Sequence, residues 1–421
     1  MATSAVPTAI PAETSPSASS RRSLTPAEAK IELAQRSIQA KPDSLESHNA
    51  LALALTARAR ETGDPSHYDE ALQALAKSFR IAPGNFAAQR IQAWALLGRH
   101  RFSEALEVAT ALQKRFPDDL MVYGLVGDAQ VELGNYVQAE EAVQWMLDLR
   151  PGNVPGLTRA AYLRELFGDT EGAIDLFAMA YQQIPGPETE DRAWILTQLA
   201  HLRAQTGQWS QAEQLSEQAL ELFPDYHYAL AQMVRVRTVQ GKHEEALALA
   251  MKLREEVPHP ENLLRVAQIL HHLDRDREAA VWYRRFEQAA EAESGSADNC
   301  NRDLIFHYAG QGENPAAALK VARREVAVRH DVYTLHAHAW ALHASGLDEQ
   351  AYAQMARALA VGLRDVELFH HAGVIASASG KSDEAEKFYR EAVRLDPISE
   401  SGVAAQAALG DDRSPIRAAS P

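Results

Sequence analysis

The chain contains 421 residues, of which 46% are hydrophobic and 24% are charged, and it carries a formal net charge of −15. The hydrophobic fraction is ordinary for a folded protein, whereas the negative charge argues against nucleic acid or an anionic membrane as a partner, since either would require a basic face. The lone cysteine, Cys300, excludes an intrachain disulfide and a cysteine-built zinc site.

The beginning of the chain differs in composition from the rest. Residues 1–24 are rich in Ala, Ser, Thr and Pro and lack the apolar core of a signal peptide, so we expect no leader and a disordered tail. No apolar run elsewhere approaches the roughly 20 residues that span a bilayer. Together with the single cysteine, these features favour a cytoplasmic protein.

A first helix is predicted at about residues 26–40, and an internal repeat follows it. An alanine recurs about every 34 residues from Ala71 to Ala385, and in most units a turn residue, usually glycine, lies five positions before it. A fixed period of this length predicts an array of stacked units rather than one globular core. The pairs are Gly134/Ala139, Gly168/Ala173, Gly207/Ala212, Gly241/Ala246, Asp274/Ala279, Gly312/Ala317, Gly346/Ala351 and Gly380/Ala385.

The unit that ends at Pro151 illustrates the predicted repeat. Apolar and small residues recur at helical spacing over about residues 121–133, and Gly134 then supplies the left-handed backbone that ends a helix. A second helix is predicted at about residues 137–149. Pro151 starts the next connection, because proline cannot continue a helix interior. Each unit is therefore a helix, a tight turn, a second helix and a short loop.

Extra residues mark irregular joints in the array. Residues 61–66 lengthen one turn, residues 185–191 lengthen one loop, and the polar stretch 291–300 separates two groups of units. A short Ala-rich helix at about 399–409 would cap the last unit. The predicted organisation is a disordered tail (1–24), a first block of the array (25–290), a polar connection (291–300), a second block with a C-terminal capping helix (301–410) and a second disordered tail (411–421).

A row of small residues lies seven positions before the turn residues, and we call it the packing row. A side chain of one carbon or none lets two helix backbones approach closely, and one hairpin cannot bury both of its faces unless neighbouring units stack on it. The packing row comprises Gly127, Ala161, Ala200, Val234, Ala267, Ile305, Ala339 and Gly373.

These features together resemble the tetratricopeptide repeat. The turn Gly, the Ala five residues on, the Pro seventeen residues past the Gly and the 34-residue step match its pattern, as in Gly134, Ala139 and Pro151, and the resemblance covers about residues 25–410. It implies an all-α, right-handed superhelical solenoid of about ten helix-turn-helix repeats with terminal capping helices. It also implies that the first helix of each hairpin lines a concave inner surface that binds other proteins.

The residues six positions before each turn form a second row, which we call the inner row. Its members share one helix face beside the packing row, but their chemistry varies far more. This contrast is what a common scaffold with a particular binding surface would produce. With His100 counted as a turn residue, the inner row reads Trp94, Asp128, Tyr162, His201, Arg235, Gln268, Phe306, Trp340 and Val374.

The densest candidate cluster lies on the helix before Gly346, and the positions ten before each turn extend it. We expect His370 on the next helix at the height of His336, and Arg302 on the preceding helix. Aromatic residues and Arg often anchor interfaces; the alternative is that Trp340 and Tyr333 only fill space between units. The predicted partner-binding residues are Arg90, Trp94, Tyr162, His201, Arg235, Arg302, Phe306, Tyr333, His336, Trp340, His343 and His370.

The histidine-rich stretch between His330 and His371 invites a metal hypothesis. However, His336 and His343 lie two helical turns apart, about 10 Å along the axis, which is too far for both to bind one zinc ion. No catalytic nucleophile with a matching base can be identified either. We therefore predict no enzymatic activity, no cofactor and no native metal site.

The sequence favours a non-enzymatic scaffold that binds an extended peptide or a partner helix in a concave groove. Two other interpretations remain open. The first is a small-ligand or metal receptor that uses the His-rich C-terminal repeats, and the second is an accessory subunit of an enzyme complex. Self-association through the open ends of the solenoid is a further possibility.

Overall fold

The computed structural model describes residues 24–186 and 188–410, and within these ranges the chain forms 22 α-helices. Their bounds are α1 (Pro26–Ala40), α2 (Leu45–Thr62), α3 (Ser66–Ile81), α4 (Phe86–Gly98), α5 (Phe102–Arg115), α6 (Leu120–Glu132), α7 (Tyr136–Leu149), α8 (Val154–Leu166), α9 (Thr170–Gln183), α10 (Thr189–Gln205), α11 (Trp209–Leu222), α12 (His227–Val239), α13 (His243–Glu256), α14 (Pro260–His272), α15 (Asp276–Glu293), α16 (Cys300–Ala309), α17 (Pro315–Glu325), α18 (Val332–Ala344), α19 (Asp348–Leu359), α20 (Val366–Ala378), α21 (Ser382–Leu395) and α22 (Glu400–Ala408).

The helices α2 to α21 pair in chain order into ten hairpins, while α1 and α22 pack at the two ends. We call the even-numbered member of each hairpin helix A and the odd-numbered member helix B. Each hairpin also packs on the hairpins before and after it. The predicted all-α solenoid of about ten helix-turn-helix repeats is therefore confirmed, together with its first and last single helices.

The turns between helices A and B have the predicted left-handed backbone. Gly134 has a φ of 76°, which glycine adopts without a steric cost because it has no Cβ. His100 and Asp274 occupy the same place in their hairpins with φ values of 54° and 55°. The sequence period therefore identified these turns correctly even where glycine is missing.

One turn was assigned to the wrong residues. In the α16–α17 hairpin the left-handed residue is Glu313, with a φ of 46°, rather than Gly312. The fully buried alanine is Ala318, whereas Ala317 is half-buried. The spacing of five residues is kept, but α16 ends early, at Ala309, and five residues join it to α17 instead of the three found in the other hairpins.

Carboxylate side chains fix the starts of several A helices. Asp119 accepts a hydrogen bond from the backbone N–H of Val122 at 3.0 Å, and Asp331 accepts one from that of Thr334 at 3.2 Å. Such caps satisfy N–H groups that have no partner inside the helix. They also place a negative charge at a defined position in each repeat.

The solenoid coils back on itself, because turns in the first half contact loops in the second half. His330 donates its backbone N–H to the carbonyl oxygen of Glu132 at 3.0 Å. The ring of His227 bonds the carbonyl oxygen of Arg60 at 2.9 Å. We call these contacts the seam; they involve the segments around Arg60, His100, Glu132, Gly168 and Gly207 on the early side.

Close approach at the seam is visible at Gly168. A Cβ atom placed there would lie 2.5 Å from the carbonyl oxygen of Gly362, so no larger residue fits without movement. The seam also contains Arg329, which is only 2% exposed and binds Glu132 at 2.6 Å and Asp331 at 2.9 Å. Its guanidinium lies 5.2 Å from the centre of the Phe102 ring.

The predicted polar connection at 291–300 is shorter than expected. Helix α15 continues to Glu293 and α16 begins at Cys300. One apolar cluster includes Phe286 before the connection and Leu304 after it, so the core continues across this joint. The division into two blocks stays a prediction, and the predicted tails at 1–24 and 411–421 lie outside the described residues except for Leu24.

Within residues 24–186 and 188–410, no helix combines the length and the apolar character that crossing a bilayer requires.

Candidate functional site

The packing row and the inner row differ in exposure throughout the solenoid. All eight residues of the packing row are buried, and each of the nine residues of the inner row is at least partly exposed. The reason is visible at Gly373, where a Cβ atom would lie 2.5 Å from the ring of Tyr389 on helix B. The packing row thus faces the partner helix of its own hairpin, and the inner row points away from it.

Two arginines predicted to contact a partner are already engaged within the chain. Arg90 of α4 binds Asp119 at 2.9 Å, and Arg302 of α16 binds Asp331 at 3.4 Å. Each carboxylate is the cap at the start of the next helix A. These arginines therefore tie one repeat to the following one, which is a structural role that the sequence pattern did not reveal.

Four aromatic and imidazole side chains form what we call the ring cluster: Phe306, His336, Trp340 and His371. The Trp340 and His371 rings stack with centroids 3.7 Å apart and an angle of 9°. Phe306 lies 5.1 Å from His336. His336 Nε2 and His371 Nδ1 are 2.9 Å apart, so the two imidazoles share a hydrogen bond.

The imidazoles of the ring cluster are buried and uncharged at neutral pH. His336 and His371 are 5% and 7% exposed. Burial lowers the pKa of His336 from 6.5 to about 4. Burial, with the neighbouring imidazoles of His336 and His370, puts the pKa of His371 well below its ordinary value. The ring cluster mainly fills space between α16, α18 and α20. For Trp340 this agrees with the alternative in the sequence analysis, in which the ring fills space between units.

The prediction that His370 lies beside His336 was wrong by one position. His371, rather than His370, meets both His336 and Trp340. The His370 ring lies 6.2 Å from that of Tyr389, and its Nδ1 is buried without a hydrogen-bond partner. Spacing along each helix was read correctly, but the offset between neighbouring helices cannot be obtained from that spacing.

Two further predicted histidines are paired with carboxylates. His201 Nε2 lies 3.0 Å from Glu165, whose side chain is almost fully buried. His343 Nδ1 lies 2.6 Å from Asp348 at the start of α19. Both contacts are made inside the solenoid, so these imidazoles have less capacity to bind a partner than their positions suggested.

Among the described residues, the hydroxyls of Tyr162 and Tyr333 and the guanidinium of Arg235 have no hydrogen-bonded or ion-paired partner. Burial raises the pKa of both tyrosines well above 10. Arg235 lies over the Trp209 ring at 5.2 Å and has no ion pair among the described residues. Burial lowers its pKa, although Asp365 and other nearby carboxylates oppose that shift.

Histidines are frequent in the repeats between His330 and His371. In the described part of the chain, no three His, Cys, Asp or Glu side chains are placed to hold a metal ion together. The shared hydrogen bond between His336 and His371 occupies one nitrogen of each ring. No observation favours the small-ligand or metal receptor over a protein-binding role.

A cleft at the start of the solenoid brings together residues that the sequence analysis missed. This N-terminal cleft lies between α1, α2 and the start of α10, has a volume of about 590 Å³, and includes the inner-row residue Trp94. Counting back ten, six and three positions from Gly63 gives Leu53, Ala57 and Arg60, and all three line it. They were missed because Gly63 lies eight rather than five residues before Ala71. The expected longer turn at residues 61–66 is wrong: the turn has the usual three residues, between Thr62 and Ser66, and α3 begins earlier instead.

Ion pairs connect the two walls of the N-terminal cleft. Arg60 binds Glu190 at 3.0 Å and Asp191 at 3.3 Å. Burial opposes the charge of Arg60, but Glu190 and its neighbours outweigh it and raise the pKa of the guanidinium. Burial raises the pKa of Glu190, and the hydroxyl of Tyr226 donates a hydrogen bond to it at 2.6 Å.

Comparison with protein families agrees with this architecture. Tetratricopeptide repeat models match residues 56–119, 90–154, 126–186, 157–225 and 366–399. No curated protein sequence matches the chain significantly.

Several solved structures resemble the chain at low identity. The human IFIT1 dimer with PPP-AAAA is 14% identical, covers 89% of this chain and 95% of its own, and has a TM-score of 0.47. TTC0263, a thermophilic TPR protein of Thermus thermophilus, is 21% identical over 46% of this chain and 98% of its own, with a TM-score of 0.39. PilW, a type IV pilus biogenesis factor, is 16% identical over 52% and 98%, with a TM-score of 0.41. Likenesses at this level transfer no ligand or partner.

Proposed function

Because the chain is a tetratricopeptide repeat protein, we propose that it is a non-enzymatic, cytoplasmic scaffold whose inner row binds a partner protein. The bound element is an extended peptide or a helix. The observation that carries this proposal is the exposure of the inner row at all nine positions beside a packing row that is buried at all eight.

The proposed contacts are the inner-face side chains whose polar groups have no partner within residues 24–186 and 188–410. Tyr162, Tyr333 and Arg235 meet this condition, and Trp94 adds a partly exposed ring at the N-terminal end. Tyrosine, tryptophan and arginine contribute strongly to protein interfaces, because they combine a large apolar surface with a polar end. A rigid array also limits the conformational entropy lost on binding.

The proposal does not include nucleic acid. A net charge of −15 gives no general attraction to phosphates. The arginines nearest the inner row are mostly paired with carboxylates, as Arg90 is with Asp119 and Arg302 is with Asp331. A protein segment with neutral or basic side chains fits this surface better.

Affinity capture from lysate with quantitative recovery tests the proposal. Tyr162→Ala combined with Arg235→Ala removes one aromatic and one cationic contact. We expect recovery of a specific partner to fall at least about tenfold, since a contact that matters at an interface is worth more than about 1 kcal/mol. The partner should be retained by the matched control, Met179→Ala with Arg150→Ala, which alters exposed residues of α9 and of the loop between α7 and α8.

Both variants must first show the helical content and cooperative melting of the wild type. If every captured protein is recovered equally by the wild type and by the Tyr162/Arg235 variant, the inner row is not the binding surface.

A further inference from the structure

The N-terminal cleft exposes apolar surface that no other part of the described chain covers. Leu33 of α1 and Leu53 of α2 line it and are 67% and 46% exposed. Ala50, Ala57 and the ring of Trp94 lie beside them. Single exposed leucines are common on protein surfaces, whereas a concave group of apolar side chains marks a docking surface.

The cleft also has an excess of negative charge at its edge. Glu46 and Glu188 line it, are exposed, and form no ion pair among the described residues. Lys30 and Arg60 are the cations among the described lining residues, and Arg60 is already bound to Glu190 and Asp191. The edge therefore attracts basic side chains.

The lining residues of α1 and α2 form two helical ridges with a groove between them. Along α1, Lys30, Leu33 and Ser37 face the cleft at i, i+3 and i+7. Along α2, Ala50, Leu53 and Ala57 do the same. Rows with this spacing form ridges and grooves that accept the ridges of a third helix.

From these observations we propose that the N-terminal cleft docks a short amphipathic helix of a partner protein. Leucine-sized side chains of that helix pack on Leu33, Leu53 and Trp94, and lysines or arginines on its flanks face Glu46 and Glu188. This rests on the scaffold role proposed above and adds the chemistry of the partner, at a surface apart from Tyr162 and Arg235.

Two other occupants fit the cleft less well. A second copy of the chain also carries a net charge of −15, so like charges oppose its approach. In the chain's own residues 1–23 the aliphatic pair Val6 and Ile10 is interrupted by Pro7 and followed by Pro11, which disfavour the helix that would place both side chains on one face. A partner helix with an apolar face and basic flanks satisfies both the shape and the charge.

A defined peptide tests the proposal with the full chain. The probe is a fluorescein-labelled, helix-forming peptide of about 16 residues, with leucines three and four positions apart and lysines on both flanks. Its control replaces the lysines with glutamates. Fluorescence anisotropy should show saturable binding of the basic peptide and at least roughly tenfold weaker binding of the acidic control.

Leu33→Asp combined with Leu53→Asp should weaken binding of the basic peptide at least about tenfold. Both positions are exposed, so folding should be unaffected, which circular dichroism checks. The matched control is Met179→Asp, which is 49% exposed on α9 away from the cleft and should leave the affinity unchanged. Equal affinity of the leucine variant and the wild type overturns the proposal, as does equal binding of the two peptides.

Two more measurements separate the alternative occupants. Light scattering should find the wild type and the leucine variant in the same oligomeric state; a dimer lost in the variant assigns the cleft to a second copy and overturns the proposal. Arg21→Ala with Arg22→Ala should leave the peptide affinity unchanged, and a clear gain assigns the cleft to residues 1–23 instead. If the basic peptide does not bind the wild type, but the wild type still captures a partner that the Tyr162/Arg235 variant loses, only the proposal for the cleft is overturned.

Discussion

At the scale of single residues, the ring cluster is held together by two neutral imidazoles. His336 and His371 share a hydrogen bond of 2.9 Å, in which one ring donates and the other accepts. Protonation of both rings would place two donors against each other in a site that is shielded from water. The folded state therefore resists protonation, and its stability depends on pH.

Acid should destabilise the protein through this pair. Because burial lowers the pKa of His336 from 6.5 to about 4, its contribution to stability is complete above pH 6.5 and is lost as the pH falls towards 4. His371→Phe keeps a ring stacked on Trp340 but removes one titrating group. We expect unfolding in denaturant to show about 1–2 kcal/mol less stability at pH 7, from the lost hydrogen bond, and a smaller loss between pH 6.5 and 4. An unchanged acid loss would contradict this account.

Asp303 should have the opposite pH dependence. Burial and the charge of Glu261 raise its pKa from 3.8 to about 7, and Glu261 itself is paired with Arg265 at 2.9 Å. Stability is therefore lost as the pH rises from about 4 through 7, when Asp303 must ionise in the folded chain. Asp303→Asn should melt at least about 2 °C higher than the wild type at pH 8 and at nearly the same temperature at pH 4. A higher melting temperature only at pH 4 would refute the assignment.

At the scale of helices, the space available to a side chain at one repeat position differs from one hairpin to another. Gly127 and Gly373 both belong to the packing row, seven residues before their turns. A Cβ at Gly127 would lie 3.4 Å from Val143, an ordinary contact, whereas at Gly373 it would lie 2.5 Å from Tyr389. Helix B carries a larger side chain in the last hairpin, and the helices compensate with a glycine.

Alanine substitutions at these two glycines should therefore have opposite signs. Gly127→Ala should stabilise the chain by up to about 1 kcal/mol, because alanine favours a helix interior more than glycine. Gly373→Ala should destabilise it by about 1–3 kcal/mol, since overpacking outweighs that gain. Chemical denaturation of the two variants in parallel measures both effects, and each serves as the control for the other. Equal signs would mean that the packing row is uniform.

The helices were largely predictable because the same turn residue and alanine recur in many units of the repeat. Gly134 and Ala139 mark one turn, and seven further pairs with the same spacing allow an exception such as Asp274 to be recognised. The Gly312/Ala317 pair failed because the longer connection after α16 displaces the turn without changing the residue types. The N-terminal cleft was missed for a similar reason, since its turn residue, Gly63, lies out of step.

Contacts between helices were less predictable than the helices themselves. The inner-row periodicity places Trp340 and His336 on one face but does not state whether His370 or His371 meets them, because that depends on how α18 and α20 lie against each other. The pairing of Arg302 with Asp331 likewise joins two repeats. Side chains that seemed available for a partner were in several cases used inside the chain.

The seam is the main feature at the scale of the whole molecule. Simple repeat proteins are held together by contacts between neighbouring units, and their stability is close to a sum over units. Here Glu132 and Arg329 form an ion pair across 197 residues, and Val332 donates its N–H to the Tyr136 hydroxyl at 2.9 Å. Distant repeats therefore stabilise one another, which local sequence patterns do not reveal.

Breaking the seam should both destabilise and expand the solenoid. Arg329→Met keeps much of the side-chain length but leaves Glu132 without its partner and Asp331 with Arg302 as its remaining cation, which should cost about 3–5 kcal/mol. Small-angle X-ray scattering should show a larger radius of gyration. Adding Glu132→Gln removes the unpaired charge and should restore part of the stability, although not the compact dimensions. An unchanged radius in the single variant would show that the coil does not depend on the seam.

The long reach of these contacts affects how the protein matures in the cell. Synthesis proceeds from the N-terminus, so the third hairpin leaves the ribosome long before Arg329 has been made, and Glu132 must wait for almost half of the chain. Early repeats can stack on one another in that interval. The turns that later form the seam with the second half of the chain stay exposed to water and to other molecules. A chaperone that recognises these exposed turns would find them only on nascent chains.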